Sequence, residues 1–184
     1  MNAILATLAL LVAAAAEPQV LILDPAASAV RFHVNHKLHQ VDGVSKSAEG
    51  KAVLDADGTV RTMVRLPVQS FDSGDSNRDS HMLETLQAGK FPSVVFKGVG
   101  KVSGAAPGGP PVNVTLKGEL DFHGVKRAVE VPVTVAFAKD GSARVQGKLT
   151  VSLEAHQVER PSMFTIKLDD DCAIAFDLKL GRSG

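Results

Sequence analysis

The 184-residue sequence contains no tryptophan and no tyrosine, and it has a single cysteine, Cys172. One cysteine excludes an internal disulfide and the cysteine motifs that bind zinc or haem. The interior must therefore be built from Val, Leu, Ile, Ala, Met and the eight Phe residues. Such an interior offers a ligand few polar groups, and we expect Cys172 to point into it from a strand as a small apolar residue.

Neither sign of charge is in excess. Lys and Arg together number 20, and Asp and Glu together number 20, so the formal net charge is zero at pH 7. A protein without a basic field has little electrostatic attraction for a polyanion. We therefore expect no nucleic-acid partner.

Long apolar runs are absent except at the amino terminus. Residues 3–16 are uncharged and mostly apolar, and they end in Ala14-x-Ala16, which suits signal peptidase. The run is too short to span a hydrocarbon core of about 30 Å, so cleavage is favoured over a permanent membrane anchor. We predict a signal peptide over residues 1–16, a single domain over residues 17–184, and a periplasmic or secreted location for the cleaved protein.

The rest of the sequence alternates apolar and polar residues in segments that turn residues separate, which indicates antiparallel β-structure. Eight such segments can be recognised. Tight turns are predicted at Asp57-Gly58, His123-Gly124 and Asp140-Gly141, and loops around Asp42-Gly43 and over residues 103–111. Eight strands with one apolar face each can bury those faces by closing into a barrel, although a two-sheet sandwich would use the same alternation.

Residues 71–92, FDSGDSNRDSHMLETLQAGKFP, interrupt the strand pattern. Met82 and Leu86 recur at helical spacing, an S-x-x-D capping pattern starts at Ser76, and Gly and Pro follow. These features predict a short amphipathic helix at about residues 76–88. Such a helix can bury its apolar side most simply over an open barrel end. The predicted fold is an all-β, eight-stranded antiparallel barrel with a short helix capping one end.

Strand and helix parity selects the residues that would face the barrel interior. The first predicted strand, around residues 30–35, contributes two of them. For each residue taken alone, ordinary core packing is the simpler interpretation, because most inward residues of a small barrel only fill it. The set as a whole supports a cavity. The candidate ligand-binding residues are Phe32, Val34, Val64, Leu66, Met82, Leu86, Val94, Phe96, Leu116, Leu120, Val133, Val135, Leu149, Val151 and Phe176.

Histidines recur every third residue at His33, His36 and His39. On a helix the last two could bind a metal, but along a strand successive side chains point to opposite faces and do not converge. We expect solvated histidines at the barrel mouth, and no metal site. The candidate polar residues at the mouth are Arg78, His81 and His123.

Four motifs follow one another in the order and spacing of the YceI family: FDSG at 71–74, R-D-x-H-M at 78–82, FPSVVFK at 91–97, and GELDFHGVKRAVEVPV at 118–133. With the strand pattern around them, the chain resembles that family over nearly all of the predicted mature protein. The resemblance implies a lipocalin-like barrel, exported to the periplasm in many members, whose interior binds a long polyisoprenoid such as the chain of an isoprenoid quinone. Residues 152–171 differ from the R-x-D-F-G-I segment of many members.

The resulting prediction is non-catalytic binding, sequestration or transport of a long-chain isoprenoid lipid, with no cofactor. Expected partners are an isoprenoid lipid or quinone and, transiently, a membrane, for a monomer or a dimer. One alternative is a stress-linked periplasmic interaction protein whose own side chains fill the barrel. The other is an enzyme acting on a hydrophobic substrate through Asp79, His81 or His123, although the sequence has no G-x-S-x-G motif.

Overall fold

The structure, a computed structural model, describes residues 17–36, 39–160, 162–163 and 166–182. The predicted signal peptide over residues 1–16 lies outside these ranges. Within them, no helix combines the length and the apolar composition that crossing a membrane requires.

The described residues form eleven strands and one α-helix, α1, which spans Ser76–Thr85. Single 3₁₀ turns lie at Val68–Ser70 and Glu154–His156. The strands are β1 (Gln19–His36), β2 (His39–Ser45), β3 (Glu49–Leu54), β4 (Thr59–Pro67), β5 (Ser93–Lys101), β6 (Val112–Phe122), β7 (Val125–Phe137), β8 (Ala143–Ser152), β9 (Ser162–Met163), β10 (Ile166–Lys167) and β11 (Asp171–Arg182).

Antiparallel pairing runs in the order β11, β8, β7, β6, β5, β4, β3 and β1, and β1 pairs again with β11, which closes the sheet. β2 pairs with residues 30–36 of β1, along the same edge of β1 that β3 pairs with at residues 19–22. Eight strands thus form a closed antiparallel barrel, and the predicted fold class is confirmed. Closure of this kind removes sheet edges and turns alternate side chains of each strand inwards.

The two ends of the barrel carry different connections. At one end, the hairpin end, lie the turns at Asp57-Gly58 and Asp140-Gly141 and the loop over residues 103–111, as predicted. At the other, the helix end, lie α1, the predicted turn at His123-Gly124, and residues 153–170 between β8 and β11. Because neighbouring strands are antiparallel, each connection falls at the end where its two strands meet.

The first strand differs from the prediction. β1 starts at Gln19, well before the predicted residues 30–35, and Asp42 and Gly43 lie in β2 instead of a loop. Asp-Gly favours a turn when its glycine adopts a positive φ, which Gly43 does not. Gly43 instead allows a close contact across the strands. It pairs with Phe32, and a Cβ at this position would lie 2.3 Å from the Phe32 ring.

An irregularity in β1 reverses its side-chain parity. Asp24 pairs with Lys179 and Ala29 pairs with Asp177, so β1 advances five residues where β11 advances two. β1 therefore contains three extra residues at this point. Ser28 stabilises this bulge, because its hydroxyl donates to the Asp24 carbonyl at 2.6 Å and accepts from the Lys179 N–H at 2.9 Å. An odd number of extra residues exchanges the two faces of a strand. The inward residues of β1 are Leu21 and Leu23 before the bulge and Val30, Phe32 and Val34 after it.

Helix α1 lies at one end of the barrel, as predicted, but it ends at Thr85 and not near residue 88. Gln87 adopts a left-handed φ of 46°, which stops the helix. No residue of α1 is buried, although Met82 and Leu86 border the barrel interior. The helix therefore lies at the end of the barrel, where one side of it borders the interior.

Candidate functional site

A cavity of about 650 Å³ occupies the barrel interior. Small-molecule sites usually measure about 300–1,000 Å³, so this volume suits a ligand. Every candidate ligand-binding residue from the sequence borders the cavity; that these residues bind a ligand stays a prediction. The surrounding side chains are apolar except for Thr62 on the wall and a polar group next to α1. Lys51 also borders the cavity, but its side chain points outwards, because its neighbour Ala52 points into the barrel. The Thr62 hydroxyl donates to the Lys51 carbonyl at 3.1 Å, so this polar group of the wall is satisfied within it.

Three phenylalanine rings lie against the wall instead of crossing the cavity. Each covers a glycine of its own or the neighbouring strand, and a Cβ added to that glycine would come within 2.5 Å of a ring carbon. Because the wall has no side chain at these points, the rings can lie along it, and this leaves the centre of the barrel open. The pairs are Phe32 with Gly43, Phe96 with Gly98, and Phe176 with Gly147.

Buried lining side chains occur towards both ends of the barrel. Leu21, Val135 and Leu180, towards the hairpin end, are each at most 7% exposed. Val34, Leu120 and Val151, towards the helix end, are also at most 7% exposed. Phe96 and Leu149, between the two ends, point inwards yet are only half-buried, because they face the cavity. Part of the open space therefore lies between the two ends, beside these two side chains.

The cavity reaches the protein surface beside α1. Asp75, Asn77 and His81 border the cavity and are exposed, and Arg78 and Thr85 border it in half-buried positions. A slender apolar ligand lying in the barrel would therefore place its terminal polar group among these five residues.

Arg78 is the best-fixed polar residue of this mouth. Its Nε donates to Ser73 Oγ at 2.9 Å, and its Nη2 donates to the Ser73 carbonyl oxygen at 2.7 Å. Ser73 is held in turn by Asp79, whose Oδ1 accepts the Ser73 N–H at 3.0 Å. Since a guanidinium has five N–H donors, Arg78 keeps donors for an acceptor oxygen of a ligand.

The cap of α1 is Asp75, and not the S-x-x-D pattern that starts at Ser76. The Asp75 carboxylate accepts the N–H groups of Asn77 and Arg78 at 2.9 and 3.1 Å. The Arg78 N–H, and next the Asn77 N–H, hold the pKa of the Asp75 carboxyl below its ordinary value. Two of the free N–H groups at the start of the helix, those of its second and third residues, are thus occupied by the protein itself.

The other two polar candidates lie in contrasting places. The His81 side chain is 80% exposed, and its Nδ1 lies 3.7 Å from Glu84 Oε2. His123 is buried, with its ring centroid 4.5 Å from that of Phe91 and its Nδ1 3.2 Å from the His156 carbonyl oxygen. This contact joins the β6–β7 turn to the β8–β11 connection. The structure therefore places His123 outside the predicted polar mouth.

The His-rich segment forms the β1–β2 hairpin. Nδ1 of His33 lies 2.7 Å from Asp42 Oδ1, and its Nε2 lies 3.0 Å from Asn35 Oδ1. The Asp42 contact, followed by the Asn35 contact, raises the pKa of the exposed His33 ring. The side chains of His36 and His39 lie outside the described residues. Within the described part of the chain, no three His, Cys, Asp or Glu side chains are grouped as metal ligands would be.

Sequence reasoning missed part of the lining. Val158 and Leu168 border the cavity from the connection over residues 153–170, which has no regular periodicity. Leu153, which continues the period-two pattern of β8, also borders it. Cys172 also borders it, and its predicted inward position is confirmed. Burial raises the pKa of the Cys172 thiol to about 12, so this group is a poor nucleophile and contributes apolar surface instead.

Comparison with known proteins identifies the same fold. The profile of the YceI-like domain matches residues 22–180 of the chain. No curated protein matches it. Solved structures do. A polyisoprenoid binding domain from Saccharophagus degradans, implicated in plant cell wall breakdown, superimposes with a TM-score of 0.76 at 17% identity, covering 90% of this chain and 99% of that one.

Two further structures resemble the chain. Burkholderia cenocepacia BcnA has a TM-score of 0.68 at 24% identity over 85% of this chain and 98% of its own. The Campylobacter jejuni YCEI protein has a TM-score of 0.61 at 17% identity over 82% of this chain and 89% of its own. At these identities the likeness concerns the fold.

Proposed function

Because the chain belongs to the YceI-like domain family, we propose that it binds a long-chain isoprenoid lipid, either a polyisoprenoid or an isoprenoid quinone, in the barrel cavity and sequesters or carries it in the periplasm without catalysis. The observation that carries the proposal is the apolar cavity of about 650 Å³ that opens beside Arg78. The fold likeness to a polyisoprenoid binding domain supports the lipid class. The amino-terminal signal pattern supports export.

The physics of the cavity favours a long chain over a short one. Burying one five-carbon isoprene unit contributes about 4 kcal/mol at roughly 0.8 kcal/mol per carbon. Association costs about 4–15 kcal/mol, so three or four buried units are needed before binding becomes useful. Selection then rests on shape and length, because the walls offer almost no polar contacts.

The polar mouth would hold the head group of the lipid. Arg78 is already oriented by Ser73, so it can donate to a head-group oxygen without first losing side-chain freedom. Quinone carbonyls, phenols and phosphates all present such oxygens. A filled barrel, the basis of the interaction-protein alternative, fits a cavity of this size poorly.

The proposal is tested by native mass spectrometry of the mature protein purified from cells that export it, followed by organic extraction. We expect a stoichiometric added mass that extraction removes and that is identified as a prenyl lipid. A protein that is bare, and that gains neither mass nor thermal stability from added quinones or prenyl lipids, would contradict the proposal. Amino-terminal sequencing of the same sample tests cleavage after about Ala16.

A matched pair of variants on β8 locates the ligand. Leu149 borders the cavity, whereas its neighbour Lys148 is exposed on the outer surface. We expect Leu149→Trp to lower lipid occupancy by about tenfold or more, because the indole fills the space of the chain. Lys148→Trp should leave occupancy unchanged. Equal losses in both variants would argue against a site inside the barrel.

A further inference from the structure

The outer surface of the barrel carries an apolar patch that the cavity does not explain. Val20, Ile22, Met63 and Val99 are 37–48% exposed, and they are the large hydrophobic residues that the described part of the chain exposes. Each points outwards, because its neighbours along the strand point into the barrel. Scattered exposed apolar residues need no explanation, but a contiguous group marks an interaction site.

Strand register places these four residues side by side. The first row across the sheet runs Val20, Val53, Arg61, Val99 and Lys117, from β1 to β6. The adjacent row runs Ile22, Lys51, Met63 and Lys97, from β1 to β5. Apolar and basic side chains therefore alternate over four neighbouring strands. We call this surface the outer patch, and we define it by Val20, Ile22, Lys51, Arg61, Met63, Lys97 and Val99.

The basic residues of the outer patch are only partly neutralised. Arg61 pairs with Asp55 at 2.7 Å. Lys51 and Lys97 make no ion pair with the described carboxylates; Glu119, which the register places opposite Lys97, pairs with Lys126 at 3.3 Å instead. The molecule as a whole has zero formal net charge. The patch is thus a local excess of positive charge set among exposed apolar side chains.

The outer faces of β8 and β11 show no such surface among their described residues. The outward positions of β8 are Arg144, Gln146, Lys148, Thr150 and Ser152. On β11 the outward alanines alternate with Asp171, Asp177 and Lys179. An outer sheet face needs none of the exposed Val, Ile and Met that the patch carries, so their grouping on one side calls for a partner.

We propose that the outer patch docks the protein on the surface of a membrane that contains anionic phospholipid. Apolar side chains would enter the headgroup region, and Lys51 and Lys97 would lie at the level of the phosphates, with their aliphatic stems among the lipids. Basic residues next to an anionic bilayer are attracted to it, and the attraction falls with salt. Charge complementarity favours this partner over a second copy of the chain, which would bring like-charged lysines together.

The patch lies on the side of the barrel, and its Val20 row is nearer the hairpin end. Docking through it leaves α1 and the mouth of the cavity uncovered. The inference is therefore independent of what the cavity holds. It identifies a contact surface, whereas the cavity identifies a ligand, and the two can fail separately.

Flotation of the mature protein with phospholipid vesicles tests the docking surface. The probes are vesicles of phosphatidylcholine alone and vesicles of equal parts phosphatidylcholine and phosphatidylglycerol. We expect binding to the mixed vesicles only, weakening as salt is raised. Lys51→Glu with Lys97→Glu should lower the partition coefficient by about tenfold or more. Lys139→Glu with Lys148→Glu makes the same change of charge at the β7–β8 turn and on β8, away from the patch, and should stay within about twofold of the wild type.

A second pair of variants tests the apolar part. Val20→Thr with Val99→Thr keeps the β-branched shape while replacing two methyl groups by hydroxyls, so the strands should be retained. We expect partition to fall about threefold or more.

Three results would overturn the inference: a wild type that does not float with anionic vesicles, equal losses in both charge-reversal pairs, or a lipid-free dimer in sedimentation that the two threonines dissociate. The last would assign the patch to a second copy. Lipid extracted equally from all variants would leave the proposed function intact whatever the vesicles show.

Discussion

At the hairpin end of the barrel, Leu21, Val135 and Leu180 are at most 7% exposed, whereas at the helix end no residue of α1 is buried. The wall is the same sheet at both ends, so the difference arises from the connections. Short hairpins let the inward side chains of adjacent strands pack together. The connection over residues 68–92 instead leaves a mouth open beside Arg78, whereas Leu153 and Val158 of the connection over residues 153–170 are buried. The hairpin end therefore supplies stability, and the α1 side of the helix end supplies access.

The largest difference between the two ends should appear in the free energy of unfolding when one leucine at each end is replaced by alanine. Leu180→Ala removes a buried side chain from the hairpin end and should lower the free energy of unfolding by about 2–5 kcal/mol. Leu86→Ala, beside the mouth, should lower it by about 1 kcal/mol or less, because that side chain is only half-buried. Urea denaturation of lipid-free protein measures both. Equal losses would mean that stability is not concentrated at the hairpin end.

The next largest effect should come from narrowing the centre of the cavity. In Gly98→Ala the new methyl would lie 2.5 Å from the Phe96 ring, so the ring must swing towards the centre of the barrel. We expect lipid occupancy to fall about tenfold and stability by about 1–3 kcal/mol. Gly181→Ala, which meets nothing within 4 Å, is the control. Adding Phe96→Leu to Gly98→Ala should restore occupancy; if it does not, the ring is not what keeps the cavity open.

A smaller effect on ligand affinity should distinguish an arginine at the mouth from an arginine towards the hairpin end. Arg78→Gln removes the oriented guanidinium of the mouth and should weaken binding of a quinone or prenyl phosphate about fivefold, the value of one modest hydrogen bond. Arg61→Gln changes the same residue type towards the hairpin end, where Arg61 contacts Asp55, and should leave affinity unchanged. Titration of lipid-free protein with the ligand, followed by calorimetry, compares them. Unchanged affinity in Arg78→Gln would remove the head-group role.

Sequence alone predicted the wall of the barrel well, because a buried face and a solvent face impose period two wherever a strand is regular. β6 and β7 are the clearest cases, with Leu116 and Val133 inward as expected. The same reasoning failed where period two was interrupted. The bulge at Ser28 exchanged the faces of β1, so Leu21 and Leu23 were missed, and Asp42-Gly43 was taken for a turn.

The candidate site was harder to predict than the wall, since its features depend on pairs of distant residues. The contact of Phe176 with Gly147 exists only because strand register places them opposite each other. Val158 and Leu168 reach the cavity through a connection that has no periodic pattern. His123 matched a motif, yet its burial against Phe91 could not be read from spacing. Strand register and loop packing depend on contacts between residues that are distant in sequence, so a local sequence pattern does not predict them.

The smallest expected effect is on local stability, when the aspartate that caps a helix at one end is compared with an aspartate that stabilises a turn at the other. Asp75 caps α1, and Asp57 accepts the Thr59 N–H and hydroxyl in the β3–β4 hairpin; both are exposed, and these hydrogen bonds lower the pKa of both. A carboxyl with a lowered folded-state pKa stabilises the fold fully above its ordinary value of 3.8, and the contribution is lost as pH falls through the lowered pKa.

Hydrogen exchange of amides near each cap, in Asp75→Ala and Asp57→Ala, measures this difference. Near neutral pH, Asp75→Ala should speed exchange in α1 alone and Asp57→Ala in the hairpin alone, while urea midpoints shift little. Each variant should approach the wild type as pH falls below about 4. If Asp75→Ala instead lowered the urea midpoint as much as a core truncation, α1 would be part of the stable barrel, and the contrast between the two ends would not hold.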